Sequence, residues 1–96
     1  LQDITITNNS ASNGGGIYLD HGSSPIMHNV IIDSNSAEWG GGLNCSQGSS
    51  PVLVNVQIGG NHANNTGGGI ISTYNCNPML INTTSCWNNY RLNKIF

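Results

Sequence analysis

A run of three glycines occurs three times in the chain at nearly constant spacing. The runs begin at Gly14, Gly40 and Gly67, which lie 26 and 27 residues apart. Prolines and asparagines repeat with the same two offsets, at Pro25, Pro51 and Pro78, and at Asn29, Asn55 and Asn82. Because three independent landmarks keep one register, the chain is a tandem repeat, and repeats of this length are typical of solenoids, propellers and arrays.

Alignment of the units on these landmarks brings apolar residues into common columns. The columns comprise Ile17, Leu43 and Ile70; Leu1, Met27, Leu53 and Leu80; Ile4, Val30, Val56 and Thr83; Ile6, Ile32, Ile58 and Ser85; and Ala11, Ala37 and Ala63. Within a unit, apolar and polar residues alternate over short runs bounded by Gly, Pro, Asn and Ser, which predicts strands. Strands this short cannot bury a face alone, but coils stacked about 4.8 Å apart bury a continuous core.

Two further columns consist almost entirely of asparagine. One contains Asp3, Asn29, Asn55 and Asn82, and the other contains Asn9, Asn35, Asn61 and Asn88. Asparagine tolerates the left-handed backbone conformation of sharp turns, and its amide both donates and accepts hydrogen bonds. We predict an asparagine ladder between coils in at least one column. The alternative is that each asparagine bonds only within its own turn.

These columns carry a resemblance to a known repeat. The motif pair consists of Gly15-Gly16-Ile17 with Ile32-Asp33-Ser34-Asn35, then Gly41-Gly42-Leu43 with Ile58-Gly59-Gly60-Asn61. It resembles repeats of chlamydial polymorphic outer membrane proteins and related bacterial surface proteins, within the pectate-lyase-like superfamily of β-helices. The third unit keeps Gly68-Gly69-Ile70 but has Ser85 where the pattern has an aliphatic residue.

The resemblance implies a fold more sharply than a function. The expected fold is all-β, a right-handed parallel β-helix of about three and a half coils with 26–27 residues per coil. The expected coils cover residues 1–13 in part, 14–39, 40–66 and 67–89, and residues 90–96 form an off-pattern tail or cap. Because the chain starts at Leu1 without Met and its first coil has no visible cap, we expect a segment of a longer β-helix.

Composition excludes several classes of function. Charged residues make up only 6% of the chain, against about 25% in a typical domain. Residues 1–90 contain no Lys or Arg, so the basic face that nucleic-acid binding requires is missing. No apolar run approaches the ~20 residues of a membrane-spanning segment.

Residues with catalytic or metal-binding chemistry do not group in the sequence. The glycine runs lack the lysine of a phosphate-binding P-loop, and no helix follows them. Asp3, Asp20, Asp33 and Glu38 fall around the coil, whereas a glycosidase pair lies about 5 to 9.5 Å apart. The histidines are scattered in the same way, at His21, His28 and His62. We therefore predict no catalytic, cofactor-binding or metal-binding residues and no cofactor.

Cysteines and aromatic residues leave alternatives open. Cys45 shares a column with Leu19 and Ser72, so we expect it to point into the core. Cys76 and Cys86 could form a disulfide or remain free thiols. The aromatic residues could provide sugar-stacking surfaces if several lay on one outer face, but they do not share a column. They are Tyr18, Trp39, Tyr74, Trp87 and Tyr90.

These observations favour a non-catalytic repeat module of a secreted or cell-surface bacterial protein, acting as a structural stalk or an adhesin-like interaction surface. The alternatives are a fragment of a polysaccharide lyase or glycoside hydrolase, and a carbohydrate-binding surface without catalysis. Expected partners are glycans, host or cell-surface partners, and flanking β-helix coils of the same protein. Nucleic acid and a membrane-spanning segment are not expected.

Overall fold

Eleven short strands and no helix form the part of the chain that the computed structural model describes, residues 1–86 and 88. The strands are β1 (Gln2–Thr7), β2 (Ser10–Asn13), β3 (Ile17–Leu19), β4 (Ile26–Asp33), β5 (Ser36–Trp39), β6 (Leu43–Cys45), β7 (Val52–Gly59), β8 (His62–Thr66), β9 (Ile70–Ser72), β10 (Met79–Ile81) and β11 (Thr84–Cys86). The predicted tail or cap at 90–96 lies outside the described residues.

Each strand pairs in parallel with its equivalent in the neighbouring coil. The first sheet has the order β1-β4-β7-β10, with β11 also paired to β7. The second sheet has the order β2-β5-β8, and the third has the order β3-β6-β9. The pairing register follows the sequence repeat, because Val30 lies opposite both Ile4 and Val56. The chain is therefore a parallel-strand solenoid of about three turns, as the repeat predicted.

The long strands of the first sheet bend at an asparagine. β4 and β7 each contain eight residues, with a left-handed residue inside them, Asn29 (φ 55°) and Asn55 (φ 54°). In the last coil, Asn82 (φ 48°) falls between β10 and β11, which correspond to the two halves of β7. A short polar side chain adopts this backbone conformation at lower cost than a β-branched one, so asparagine suits each bend.

The inward-facing columns form the core, as predicted. The apolar side chains that are at most 1% exposed are Met27, Val30, Ile32, Leu43, Cys45, Leu53, Val56, Ile58, Ala63 and Ile70. Full burial of a large apolar side chain stabilises a fold by about 1.5–3 kcal/mol. Members of the same columns in the outer coils are more exposed, 37% for Ile4 and 41% for Leu80, because described residues cover them on one side only.

An asparagine ladder joins the coils in the described part of the chain, and its central members Asn35 and Asn61 are buried. Its members are Asn9, Asn35, Asn61 and Asn88. The Nδ2 of Asn35 donates to Oδ1 of Asn61 at 3.0 Å and to the backbone oxygen of Ile6 at 3.0 Å. The backbone nitrogen of Asn35 donates to the same Oδ1 at 2.9 Å. Asn61 repeats this pattern one coil later, with Nδ2 donating to Oδ1 of Asn88 at 3.0 Å. The predicted ladder is thus confirmed in this column.

The second asparagine column is exposed and only partly bonded. The Nδ2 of Asn29 donates to Oδ1 of Asp3 at 3.1 Å, and that of Asn82 donates to Oδ1 of Asn55 at 2.5 Å. No hydrogen bond joins the side chains of Asn29 and Asn55 within the described residues. This column is therefore an interrupted ladder, with two bonds between coils, and all its members share the left-handed bend.

Candidate functional site: an aromatic groove

The four carboxylates contact different partners. These partners are Asn29 for Asp3 (3.1 Å), His21 for Asp20 (2.9 Å), Ser34 for Asp33 (3.1 Å) and Asn65 for Glu38 (3.3 Å). Across the described residues, no group of three or more His, Cys, Asp or Glu side chains is placed to hold a metal ion. The contacts therefore do not bring the sequence's acidic residues into one site.

The histidines occupy separate surroundings. His21 is exposed beside its neighbour Asp20, and His62 is exposed with its Nε2 3.0 Å from Oδ1 of Asn64. His28 lies half-buried in β4. Each of their side-chain contacts is local in sequence.

Cys45 points into the core as predicted, with its Sγ donating to the backbone oxygen of Ser49 at 3.2 Å. Burial, together with a hydrogen bond and a charge interaction with Cys76, raises the pKa of the Cys45 thiol to about 12. Cys45 and Cys76 are both free thiols. Of the alternatives predicted for Cys76, the free thiol is therefore the one observed. The side chain of Cys86 lies outside the described residues.

Three aromatic side chains from different columns line one groove on the outer side of the third sheet. This aromatic groove has a volume of about 350 Å³ and is flanked by Tyr18, Trp39 and Tyr74. The three residues are 48%, 44% and 71% exposed, respectively. The remaining lining residues are Asn13, Asn44, Ser46, Gln47, Ile71 and Thr73. Within the part of the chain that the structure describes, no residue that lines the groove is charged.

The third sheet supplies the floor of the groove. Tyr18, Asn44 and Ile71 pair in register at the centres of β3, β6 and β9. Their side chains point outwards, because residues alternate between faces along a strand and Leu43 points inwards. Even so, Asn44 is only 5% exposed and Ile71 only 6% exposed. At these two positions the floor of the groove is therefore largely shielded from solvent, and it combines the amide of Asn44 with the apolar side chain of Ile71.

The two walls come from the chain on either side of each floor strand. Trp39 ends β5 and pairs with Asn13, so this wall has an aromatic and an amide member. On the other side, Gln47 and Tyr74 hold equivalent left-handed turn positions, with φ of 56° and 54°. Stacking of coils therefore places an amide beside an aromatic ring on both walls.

Gly40 joins the Trp39 wall to the floor. It has φ +69°, and a Cβ built there would lie 2.8 Å from Cβ of Asn44 and 2.9 Å from Cγ2 of Ile71. Only glycine combines this backbone conformation with so close an approach to the floor. The first glycine of the run therefore makes room for the residues that line the groove.

The Asn44 amide lines the groove and is held in place by hydrogen bonds from its Nδ2. Its Nδ2 donates to the backbone oxygen of Trp39 at 3.3 Å and to Oδ1 of Asn13 at 3.4 Å. No residue in the described part of the chain donates to Oδ1 of Asn44, while every fully buried side-chain nitrogen or oxygen there has a partner. The Oδ1 atom therefore retains accessible surface, and it is a free acceptor at the groove floor.

The Tyr18 hydroxyl is a donor at neutral pH. Desolvation, followed by the negative charge of Asp20 and hydrogen bonding to it, raises the pKa of Tyr18 above its ordinary value of 10.0. The phenol therefore stays protonated under physiological conditions, so Tyr18 adds an O–H group and an aromatic face without adding charge.

The column pattern did not predict this groove, because aromatic residues that share no column can still lie side by side on one face. Tyr18, Trp39 and Tyr74 stand in three columns that the turn at Gly40 and the turn after β6 bring together. A signal was present, since Trp39 directly precedes a glycine run and Tyr18 follows one by two residues. The other two aromatic candidates, Trp87 and Tyr90, lie outside the described residues.

A second surface feature is an apolar patch on the outer side of the first sheet. Ile26 is 65% exposed, Met79 is 56% exposed and Ile81 is 45% exposed. Val52 lies between Ile26 and Met79 in register, Val54 pairs with Ile81, and both valines are half-buried. Contiguous exposed apolar side chains of this kind often mark contact surfaces.

Part of the chain matches a known repeat family. The sequence profile of the Chlamydia polymorphic membrane protein (Chlamydia_PMP) repeat matches residues 3–20. This segment includes β2, β3 and the first glycine run, and its similarity supports the predicted β-helix repeat. Neither a curated protein nor a solved structure matches the chain. None of the residues that the structure describes belongs to a helix with the length and apolarity needed to span a membrane.

Proposed function

We propose that the chain is a non-catalytic repeat module of a bacterial cell-surface protein, acting as a structural stalk that presents an adhesin-like interaction surface. The observation that carries this proposal is the similarity of residues 3–20 to the Chlamydia polymorphic membrane protein repeat. A stack of coils joined by parallel strands and a buried ladder gives a rigid support whose outer residues can vary without loss of the core.

We also propose the handedness of the solenoid, the bounds of its coils and its continuation by flanking coils. The solenoid is a right-handed β-helix of the pectate-lyase-like kind, since crossover connections between parallel strands are right-handed in nearly all sheets. Its coils are residues 14–39, 40–66 and 67–89, preceded by the partial coil 1–13, and flanking coils of the same protein continue the stack. The exposure of the core-column residues Ile4 and Leu80 supports such flanking coils.

Cell-surface exposure is tested by labelling. An antibody against this module should stain intact cells of the organism that makes the protein, without permeabilisation. Staining that depends on permeabilisation would contradict the surface assignment.

Absence of catalysis is tested separately. The purified chain should release no product from pectin, from other acidic polysaccharides or from neutral polysaccharides. Sustained, enzyme-proportional cleavage of any of them would overturn the proposal in favour of a lyase or hydrolase segment.

A further inference from the structure

We propose that the aromatic groove binds a neutral glycan, which stacks on Trp39 and Tyr74 and forms hydrogen bonds with Asn44 and Gln47. The inference deepens the proposed function and rests on it for its biological role, because it names the ligand class that the interaction surface recognises. The binding itself is a property of the groove residues and can be measured independently of where the protein is located.

The chemistry of the groove matches that of a pyranose ring. A sugar ring has apolar C–H faces and an edge of hydroxyl groups that both donate and accept hydrogen bonds. The groove offers exposed aromatic faces on its walls, and amide or hydroxyl side chains between them. Aromatic faces suit the apolar side of the ring, while amides can meet both hydrogen-bonding roles of a hydroxyl group.

The charge of the groove favours a neutral ligand. None of the described lining residues carries a charge, and residues 1–90 contain no Lys or Arg that could pair with a uronate or sulfate. Asp20 acts on the lining residue Tyr18 through its charge and a hydrogen bond, so it would repel an anionic sugar. A polyanionic glycan therefore has nothing to bind to here.

A quaternary ammonium group is the main competing ligand, because clustered aromatic rings also bind cations. The floor argues against it. Asn44 lines the groove and is 5% exposed, and its Oδ1 accepts no hydrogen bond from the described residues. Gln47 adds a second amide at the wall. A quaternary ammonium has no N–H donor for these acceptors, so the loss of their hydration would be uncompensated.

The groove is organised before a ligand arrives. Both hydrogens of the Asn44 amide are used within the protein, at 3.3 Å and 3.4 Å, which leaves the acceptor in a defined direction. The strands that carry the floor are paired on both sides of β6. Little side-chain freedom remains to be lost at the floor, so less of the interaction free energy is spent on ordering.

The experiment is a titration of the purified chain with neutral trisaccharides of glucose, mannose, galactose and N-acetylglucosamine, followed by NMR. We expect saturable shifts of the Trp39 indole N–H and the Asn44 side-chain amide with at least one of them. Trp39→Ala and Tyr74→Asn should each weaken this binding on the order of tenfold, since each removes one stacking face. Asn is chosen at position 74 because it tolerates the left-handed backbone there.

The controls separate the groove from the rest of the surface. Met79→Ala, in the apolar patch of the first sheet, should leave affinity within about twofold. Trp39→Phe keeps an aromatic face and should retain more affinity than Trp39→Ala. Three results would each overturn the inference: no saturable binding of any of the four sugars, native affinity in both Trp39→Ala and Tyr74→Asn, or binding of tetramethylammonium or sulfated glycans alone. Loss of cell-surface labelling with intact sugar binding would instead contradict only the proposed function.

Discussion

At the scale of single residues, Asn61 does most to tie one coil to the next. It is fully buried, and its Oδ1 accepts from both the backbone nitrogen and the Nδ2 of Asn35. Its own Nδ2 donates to the backbone oxygen of Ile32 and to Oδ1 of Asn88. One amide thus satisfies groups on both neighbouring coils, and no aliphatic residue of similar size can replace it.

Replacement of Asn61 by Ala should lower the free energy of unfolding by about 3 kcal/mol, because buried partners on both sides lose their hydrogen bonds. The matched control is Asn64→Ala, at an exposed asparagine of the same coil, which should change stability by no more than about 0.5 kcal/mol. Urea denaturation of the three proteins measures both values. Equal effects of the two substitutions would show that the ladder adds nothing beyond turn propensity.

Cys45 gives the molecule a pH dependence on the alkaline side. Its thiol has a pKa of about 12 when folded, against 9.0 for the ordinary group. Between these values the unfolded chain has lost the proton while the folded chain keeps it, so stability falls as pH rises from about 9 towards 12. The urea midpoint should drop more steeply over this range in the native chain than in Cys45→Ala. If the urea midpoint depended on pH in the same way in both proteins, the raised pKa of the Cys45 thiol would be contradicted.

At the scale of strands and turns, the sequence predicted the core and the ladder well because both depend on alternation along a strand. Ile32 and Ile58 point inwards for the same reason, and their pairing register equals the sequence offset. The groove could not be predicted this way. Its walls depend on how the chain turns at Gly40 and after β6, and these angles are not contained in a column pattern.

A glycine inside a glycine run and a glycine outside it should respond differently to substitution. Gly40→Ala combines a left-handed backbone with a Cβ closer than 3 Å to two floor side chains, so it should cost more than 2 kcal/mol by these criteria. Gly22→Ala has a similar φ, +75°, but no atom within 4 Å, so it should cost only about 1 kcal/mol. Urea denaturation compares the two stabilities. A similar loss in both variants would mean that backbone conformation alone explains the glycine run.

At the scale of the whole molecule, stability should depend on the number of stacked coils. The central coil is covered on both sides, and its core residues Leu43, Leu53 and Ile58 are at most 1% exposed. The outer coils, in contrast, leave Ile4 and Leu80 partly exposed. In a solenoid, each added unit contributes its own free energy of folding and the free energy of one more interface with a neighbouring unit.

Insertion of a second copy of residues 40–66 directly after Thr66 should therefore extend the stack without disturbing it. The inserted unit carries its own glycine run, proline and Asn61, so every column, including the ladder, continues in register. We expect the urea m-value to rise by about a third, because the m-value follows the surface buried on folding and the stack grows from about three turns to four. The unfolding midpoint should also rise. A control insertion of the same residues in scrambled order keeps length and composition but breaks the columns, and it should leave the m-value unchanged or lower it. If the native and scrambled insertions behaved alike, stacking of equivalent columns would not be what holds this chain together.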